Sequence, residues 1–252
     1  MSIQALTYFS LIRYPSVVIN YARMRWRLYN SRRHHQSRIR EYAKYEMSPK
    51  EGITCLTDQL GLANSIMTTD PVFIEWAHRV ELIAGGNLTF EFALCLYNLV
   101  RALKPTKVVE TGVANGFSSS FLLRGLHDNG LGELYSLDFP NPTLIMMNKK
   151  SGWLIPDDLR YRWHLVYGST FENLLPLCRK LGQIDLFFHD SEHTYQTMTF
   201  EFTTIWPFLK KGGLLVADDV DDNDAFLEYC ERVNRIPLVI KSKSNTHGLI
   251  IK

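Results

Sequence analysis

The sequence predicts an α/β fold built on a parallel, doubly wound sheet, and three observations support this prediction. From about residue 88 onward, short apolar segments alternate with amphipathic helical segments, as in successive β-α-β units. Glycine or acidic residues follow several of the apolar segments directly. Near the C-terminus a turn-rich segment separates two further apolar runs, which predicts a closing β-hairpin.

The elements of this sheet can be assigned in chain order. Short apolar runs predict strands at residues 107–111, 133–138, 163–167, 184–189 and 213–217. Helical segments are expected at residues 90–103, 118–126 and 171–181. A further helix is predicted by a one-face stripe at spacings of four, three and four, namely Met198, Phe202, Ile205 and Leu209. The closing hairpin is expected to pair residues 237–240 with 248–251.

The composition excludes several classes of protein. The chain has 252 residues, of which 46% are apolar and 21% are charged, and this argues against a disordered or collagen-like chain. The sequence contains no run of about 18 apolar residues, so no transmembrane helix is predicted. The four cysteines are widely separated and form no zinc or disulfide pattern, so we expect reduced thiols and a cytoplasmic protein.

Residues 1–84 are expected to form a basic, mainly helical N-terminal extension ahead of a domain at 85–252. Within residues 1–46, nine arginine and lysine residues stand against two glutamates, giving a net charge of +7 and leaving −5 for the remainder. Such an asymmetry favours contact with an anionic partner. An opening apolar stretch of only ten residues, closed by Arg13 and Pro15, argues against a secretory signal.

A helix is predicted inside this extension by an apolar stripe formed by Val17, Tyr21, Met24 and Leu28. The neighbouring arginines lie mostly off the stripe. Two interpretations stay open at this point. The helix rests on a membrane surface or an anionic substrate, or it packs against the core or a second subunit of a homo-oligomer.

The first predicted strand runs into a glycine turn, Glu110-Thr-Gly-Val-Ala-Asn-Gly116. Glycines allow a sharp turn and a close approach of a ligand to the backbone, and the helix that follows offers its N-terminus. Asp138 ends the second strand, where a carboxylate can accept hydrogen bonds from both hydroxyls of a ribose. The alternative is a tight strand–helix turn that holds no ligand.

Acidic residues follow the fourth and fifth strands. Asp190 comes after one strand, and Asp218 and Asp219 come after the next. Because neighbouring parallel strands end side by side, these carboxylates are expected to converge, and a cation such as Mg²⁺, Mn²⁺ or Ca²⁺ would relieve their repulsion. Alternatively, Asp218 and Asp219 cap the following helix.

Two candidate bases lie beside Asp190. Histidine side chains in general can accept a proton near neutral pH. His193, three residues further on, is therefore the first candidate to remove a proton from a hydroxyl. Glu192 is the second candidate. His189, at the end of the strand, is expected to orient Asp190 or the backbone.

These motifs together resemble a known family. The segments 108–118, 137–138, 185–195 and 212–219 resemble class I S-adenosylmethionine-dependent methyltransferases. More narrowly, they are similar to methyltransferase family 24, with relatives among the sugar O-methyltransferases of macrolide and aminocoumarin pathways. The resemblance covers about residues 85–252, whereas the extension before it matches nothing comparable.

The resemblance implies a Rossmann-like sheet of strand order 3-2-1-4-5-7-6 with an antiparallel last strand. It implies metal ligands at Asp190, Asp218 and Asp219. The sugar enzymes would place a second acid at Glu192, and the catechol-type enzymes have a catalytic lysine where His193 stands. The implied cofactor-binding residues are Glu110, Gly112, Asn115, Gly116, Ser118, Asp138, Ser169 and Asp190.

The function that the resemblance implies is O-methylation of a hydroxyl on a small molecule or a sugar or glycan. S-adenosylmethionine would be the donor, with Mg²⁺ or another divalent cation assisting. No nucleic acid partner is expected, and a peripheral membrane contact would run through the basic extension. Two alternatives remain: an NAD-dependent oxidoreductase, although the glycine spacing is wrong and a Tyr-x-x-x-Lys pair is missing, and a non-catalytic binding protein of methyltransferase fold.

Overall fold

A computed structural model of the chain describes residues 15–34, 37–62, 70–84, 90–139, 144–145, 147–242 and 245–252. The apolar stretch near the N-terminus lies outside these residues, as do the side chains of Val17, Tyr21 and Met24. Within the described ranges, every helix is too short or too polar to span a lipid bilayer.

Helices and strands alternate through most of the chain. The helices are α1 Pro15–His34, α2 Pro49–Gln59, α3 Pro71–Ala84, α4 Phe90–Leu103, α5 Phe117–Asn129, α6 Thr170–Leu181, α7 Tyr195–Ile205 and α8 Ala225–Arg232. The strands are β1 Glu46–Met47, β2 Lys107–Thr111, β3 Glu133–Asp138, β4 Trp163–Tyr167, β5 Ile184–His189, β6 Leu209–Ala217, β7 Leu238–Lys241 and β8 Thr246–Ile251. Short 3₁₀ helices cover Ile39–Lys44, Asp157–Arg162, Trp206–Phe208 and Val220–Asp222.

All eight of these strands form one sheet in the order β1-β7-β8-β6-β5-β2-β3-β4. Neighbouring strands are parallel except for β8, which runs antiparallel to both β6 and β7. Counted from β2, the order is 3-2-1-4-5-7-6, so the expected Rossmann-like sheet and its antiparallel last strand are confirmed. The two-residue strand β1 is an addition, and it pairs in parallel with β7 at the sheet edge.

The predicted helix after β5 extended too far. Leu209 fits the helical stripe by spacing, but it is the first residue of β6. Helix α7 ends at Ile205, and a 3₁₀ turn containing Pro207 follows. Proline cannot donate the next helical hydrogen bond, which explains why the chain leaves the helix before Leu209.

Both faces of the sheet are covered, which explains why its central strands lack an alternating pattern. Helices α6, α7 and α8 enclose a core that contains Phe187, Phe202 and Phe226. On the other face, α2, α4 and α5 enclose a second core that contains residues such as Leu56 and Leu122. Strand β5 lies between the two cores and is buried along its whole length.

The described residues between 15 and 84 are mainly helical, and part of them packs on this sheet. The Ser48 hydroxyl and the Glu51 carboxylate form a reciprocal capping box at the start of α2. Ile53 of α2 is buried in the second core. Leu28 of α1 is half-buried. The extension therefore supplies part of the core and an edge strand.

Candidate functional site

Polar side chains gather at the carboxyl edge of the sheet, and a cavity of about 740 Å³ lies there. Parallel α/β sheets bind ligands at this edge. Residues of α1 also line the cavity, so the N-terminal extension takes part in it. The predicted site residues among those lining it are Gly112, Asp138, Ser169, Asp190 and Glu192.

The glycine turn after β2 is required by the packing of the chain itself. Gly112 and Gly116 have φ angles of 84° and 90°, which L side chains rarely adopt. A Cβ atom on Gly112 would collide with the carbonyl oxygen of Asp190. A Cβ atom on Gly116 would lie 2.7 Å from the side chain of Ile155. Gly112 lines the cavity, whereas Gly116 forms the N-cap of α5 and is not among the lining residues.

Asp138 ends β3 and lines the cavity, although only 6% of its surface is exposed. One carboxylate oxygen accepts a hydrogen bond from the backbone N–H of Val113 at 3.1 Å. The other accepts a hydrogen bond from the Ser151 hydroxyl. Burial raises the pKa of Asp138, and these hydrogen bonds act in the opposite direction. Because a carboxylate offers about four acceptor positions, Asp138 can still accept from a ligand hydroxyl.

Glu110 is the second-to-last residue of β2 and is fully buried. A single oxygen, Oε2, accepts hydrogen bonds from Ser119 at 2.8 Å and from Ser136 at 2.7 Å. The other oxygen, Oε1, has no hydrogen-bond partner among the described residues. Burial raises the pKa of Glu110 to about 7. Glu110 is not among the residues that line the cavity.

Three other predicted cofactor residues have local structural roles. The Asn115 side-chain oxygen accepts from the backbone N–H of Phe117 at 3.1 Å, at the start of α5. The Ser118 hydroxyl donates to the Asp190 carboxylate at 3.3 Å. The Ser169 hydroxyl accepts from the backbone N–H of Phe171 and so caps α6. Of these three, Ser169 lines the cavity.

Asp190 stands where the ends of β2 and β5 meet. Its backbone N–H donates to the carbonyl oxygen of Thr111 at 2.8 Å, which fixes the residue beside the glycine turn. Burial raises the pKa of Asp190 well above its usual range, and the negative charges of Asp218, Glu110 and Asp219 act in the same direction. A cation near Asp190 would relieve this repulsion.

The acidic residues group around His193. One ligand atom each from Asp190, His193 and Asp218 lies within 4.8 Å of the other two. Asp219 instead joins His193 and Asp222 in a second such group. The His193 ring lies between the two groups, with Nε2 3.9 Å from Asp190 and Nδ1 3.4 Å from Asp219. The donor set therefore contains an imidazole nitrogen, where the sequence predicted carboxylate oxygens alone.

Asp218 has a second neighbour that the sequence analysis missed. His247 of β8 is fully buried, and its Nδ1 lies 2.6 Å from a carboxylate oxygen of Asp218. The ring stacks on Phe92, with centroids 3.3 Å apart. Burial raises the pKa of Asp218, but His247 and then His193 outweigh it and lower the pKa to about 2. Asp218 is therefore held ionised and oriented by the C-terminal hairpin.

The two candidate bases lie in different surroundings. Glu192 lines the cavity, accepts a hydrogen bond from Thr197 at 3.0 Å, and lies 3.4 Å from the Arg27 guanidinium of α1. Its other oxygen, Oε1, is buried without a hydrogen-bond partner among the described residues. His193 is not among the residues that line the cavity. Of the two candidates, Glu192 is thus the one that faces the cavity.

Comparison with known proteins relates part of this geometry to a family. Residues 109–220 match the family model Methyltransf_24, described as a methyltransferase domain. These residues begin in β2 and end just after β6. This part of the chain, which is less than half of its length, is therefore similar to a methyltransferase domain. No curated protein sequence matches the chain.

Several solved methyltransferase structures share the fold of this chain. An O-methyltransferase from Bacillus cereus in complex with SAH is 15% identical, with a TM-score of 0.53, covering 80% of this chain and 99% of that one. The O-methyltransferase TomG from Streptomyces achromogenes, involved in tomaymycin synthesis and bound to SAM, is 14% identical, with a TM-score of 0.52, covering 82% and 100%. The SAH-bound Podospora anserina methyltransferase PaMTH1 is 17% identical, with a TM-score of 0.50, covering 71% and 85%.

A buried network of hydrogen bonds beneath the candidate site was also missed by the sequence analysis. Glu201 of α7 is fully buried, and its carboxylate accepts hydrogen bonds from Thr111 at 2.6 Å and from Ser191 at 2.8 Å. His189 Nδ1 lies 2.6 Å from the same carboxylate. His189 therefore contacts Glu201, where we expected it to orient Asp190 or the backbone. One feature of the sequence could have indicated this network, namely a glutamate on the apolar face of α7, next to Phe202.

Proposed function

We propose that this methyltransferase domain transfers a methyl group from S-adenosylmethionine to a hydroxyl oxygen of a small-molecule or glycan acceptor. The observation that carries the proposal is the single cavity that contains Asp138 and Ser169 together with Asp190 and Glu192. In the proposed complex the nucleoside would lie beside the first pair, and the acceptor hydroxyl beside the second. Positioning two reactants in one cavity supplies much of the acceleration in an in-line displacement.

The residues at the ends of β2 and β3 fit the donor. Asp138 keeps acceptor positions for ribose hydroxyls beyond those used by Val113 and Ser151. Glu110 has a buried carboxylate oxygen without a partner among the described residues, close to the glycine turn. That oxygen is suited to accept from the amino group of the methionine moiety. The donor would therefore lie across the ends of β2 and β3.

The acidic group fits a divalent cation that accepts both oxygen and nitrogen ligands. Asp190 and Asp218 would supply oxygens and His193 a nitrogen, a donor set that suits Mn²⁺ better than Mg²⁺. A cation held there would lower the pKa of an acceptor hydroxyl. The contact between His247 and Asp218 keeps that carboxylate oriented whether or not a cation is bound.

Glu192 is the group that would remove the hydroxyl proton. It lines the cavity, and the Arg27 guanidinium lies 3.4 Å from one of its carboxylate oxygens. The proton would pass to a carboxylate oxygen as the methyl group leaves sulfur. Thr197 donates its hydrogen bond to the Oε2 atom of Glu192 and so orients the carboxylate. The Oε1 atom of Glu192 stays available to accept the proton.

Binding of the donor is tested by calorimetry with S-adenosylhomocysteine and, in a parallel titration, NAD. We expect binding of S-adenosylhomocysteine alone. Preference for NAD would contradict the proposal and return the oxidoreductase alternative.

The cation is tested by electron paramagnetic resonance of Mn²⁺ added to the protein. We expect a bound-Mn²⁺ signal that Asp190→Asn and Asp218→Asn each weaken. Asp157→Asn is the matched control, because its carboxylate is 99% exposed and lies in a 3₁₀ helix away from the site. An unchanged free-Mn²⁺ spectrum in the unmodified protein, together with turnover that resists EDTA, would remove the cation from the mechanism.

A further inference from the structure

Helix α1 forms part of the wall of the methyltransferase cavity. Arg23, Trp26 and Arg27 line it, and Trp26 and Arg27 also line a smaller adjoining cavity of about 370 Å³. Residues three and four apart lie on one face of a helix, so these three side chains share a face. Arg25 is also exposed but lies about 200° around the helix from Arg23, and it lines neither cavity.

The C-terminal half of α1 and the segment after it are held on the domain at several points. The Ser31 hydroxyl accepts a hydrogen bond from the backbone N–H of Tyr195 at 2.7 Å, at the start of α7. The backbone N–H and the hydroxyl of Ser37 both donate to the Asp224 carboxylate. The Tyr42 hydroxyl donates to the carbonyl oxygen of Val220 at 2.6 Å. These contacts join α1 to the loops after β5 and β6, which carry the candidate acids.

The charges of the cavity are arranged unevenly. Asp138, Asp190 and Glu192 contribute carboxylates from the sheet edge, and two guanidinium groups come from α1. Arg27 lies 3.4 Å from Glu192, so part of its charge is balanced. Arg23 has no ion-pair or hydrogen-bond partner in the part of the chain that the structure describes. An unbalanced cation that lines a cavity opposite carboxylates favours an anionic ligand group on its own side.

We propose that the acceptor carries an anionic group, a phosphate or a carboxylate, and that Arg23 binds it. The proposal rests on the proposed methyl transfer and names the acceptor class of that site. The separation of charge orients the acceptor, because its anionic group is attracted to α1 and repelled by the sheet edge. Its hydroxyl is thereby directed toward Asp190 and Glu192. Trp26, which is 64% exposed, offers a flat surface to the body of the acceptor.

The test is calorimetric titration of inorganic phosphate into protein already saturated with S-adenosylhomocysteine, without added metal. Arg23→Gln and Arg25→Gln are compared, because each removes one exposed charge from the same helix. We expect phosphate to bind the unmodified protein and Arg25→Gln alike. Arg23→Gln should weaken phosphate binding roughly tenfold or more, since it removes a charged hydrogen-bond donor. Circular dichroism confirms that both variants fold.

Each outcome is decisive for one of the two proposals. Failure to bind S-adenosylhomocysteine in the first titration overturns the methyl-transfer proposal. If S-adenosylhomocysteine binds but phosphate does not, the anionic acceptor is overturned. The same holds if Arg23→Gln and Arg25→Gln weaken phosphate binding equally. A third outcome is that the protein binds vesicles of anionic phospholipid but not phosphate in solution, and that both variants weaken the vesicle binding equally. This result would assign α1 to a membrane surface and would also overturn the anionic acceptor.

Discussion

The carboxylates at the ends of β2 and β3 are held differently from those at the ends of β5 and β6. Asp138 and Glu110 accept hydrogen bonds from neutral groups, the hydroxyls of serines and a backbone N–H. Asp218 and Glu192 are instead paired with titratable or charged groups, His247 and Arg27. The first pair is therefore held by neutral hydrogen-bond donors, and the second by side chains that can carry a positive charge.

This difference suits the two roles proposed for the site. Neutral donors position a carboxylate and leave its charge to interact with a ligand such as a ribose. Ion pairs offset the charge of a carboxylate and couple it to the elements that supply the partners, here α1 and β8. We therefore expect changes at β2 and β3 to affect donor binding, and changes at β5 and β6 to affect the acceptor step.

The largest effect is expected at the acceptor step. Glu192→Gln should lower turnover about 10²- to 10⁴-fold, because a positioned base is lost, while affinity for S-adenosylhomocysteine stays unchanged. Steady-state kinetics with an acceptor found by screening, together with calorimetry, measures both quantities. His193→Ala is the comparison. If it lowers turnover by more than Glu192→Gln does, the histidine predicted first from sequence is the base.

The buried Glu201 joins the two halves of the site, so its removal should damage both. Glu201→Ala leaves Thr111, Ser191 and the fully buried His189 without their shared acceptor. Breaking a buried charged network of this kind typically costs about 3–5 kcal/mol of unfolding free energy. Urea denaturation measures the loss. Glu201→Gln keeps the shape and should cost less. Equal losses for the two variants would show that the charge of Glu201, and not its packing, carries the whole effect.

The pH dependence of stability sharpens the comparison within the donor half. The pKa of Glu110 is about 7 in the folded protein against 4.5 ordinarily, so the folded state binds the proton more tightly. The contribution of Glu110 to the free energy of unfolding is fully present below pH 4.5. It is lost, by roughly 3 kcal/mol, as the pH rises to 7. Denaturation across this range should show stability falling less steeply in Glu110→Gln. Parallel curves for the two proteins would contradict the raised pKa.

The smallest of these effects is expected for donor binding. Asp138→Asn keeps an oxygen for the Val113 N–H but removes the charge, so affinity for S-adenosylhomocysteine should fall roughly 10- to 100-fold. Calorimetry measures the change, and Asp157→Asn again serves as the exposed control. An unchanged affinity would mean that Ser151 already satisfies the Asp138 carboxylate and that the ribose binds elsewhere.

Much of the fold could be predicted because its signals are local. Strands β2 to β5 have the predicted bounds, since each is a short apolar run ended by a polar residue or a turn. Strand β6 was predicted too short, because Lys210, Lys211 and Gly212 do not resemble a buried strand. Strand β1 has two residues and no pattern of its own. It exists because β7 offers a free edge for pairing.

The sequence by itself determined where the central strands lie along the chain, the glycine turn and the position of an acid at or after the end of several strands. These features follow from apolar patterning and from residue types within a few positions of one another. Only the tertiary structure decided which partner each of these acids has: Asp218 is paired with His247, Glu192 with Arg27, and Glu201 with His189. The last pair is 12 residues apart and the others are farther, so sheet order and helix packing, rather than spacing along the chain, bring the side chains together.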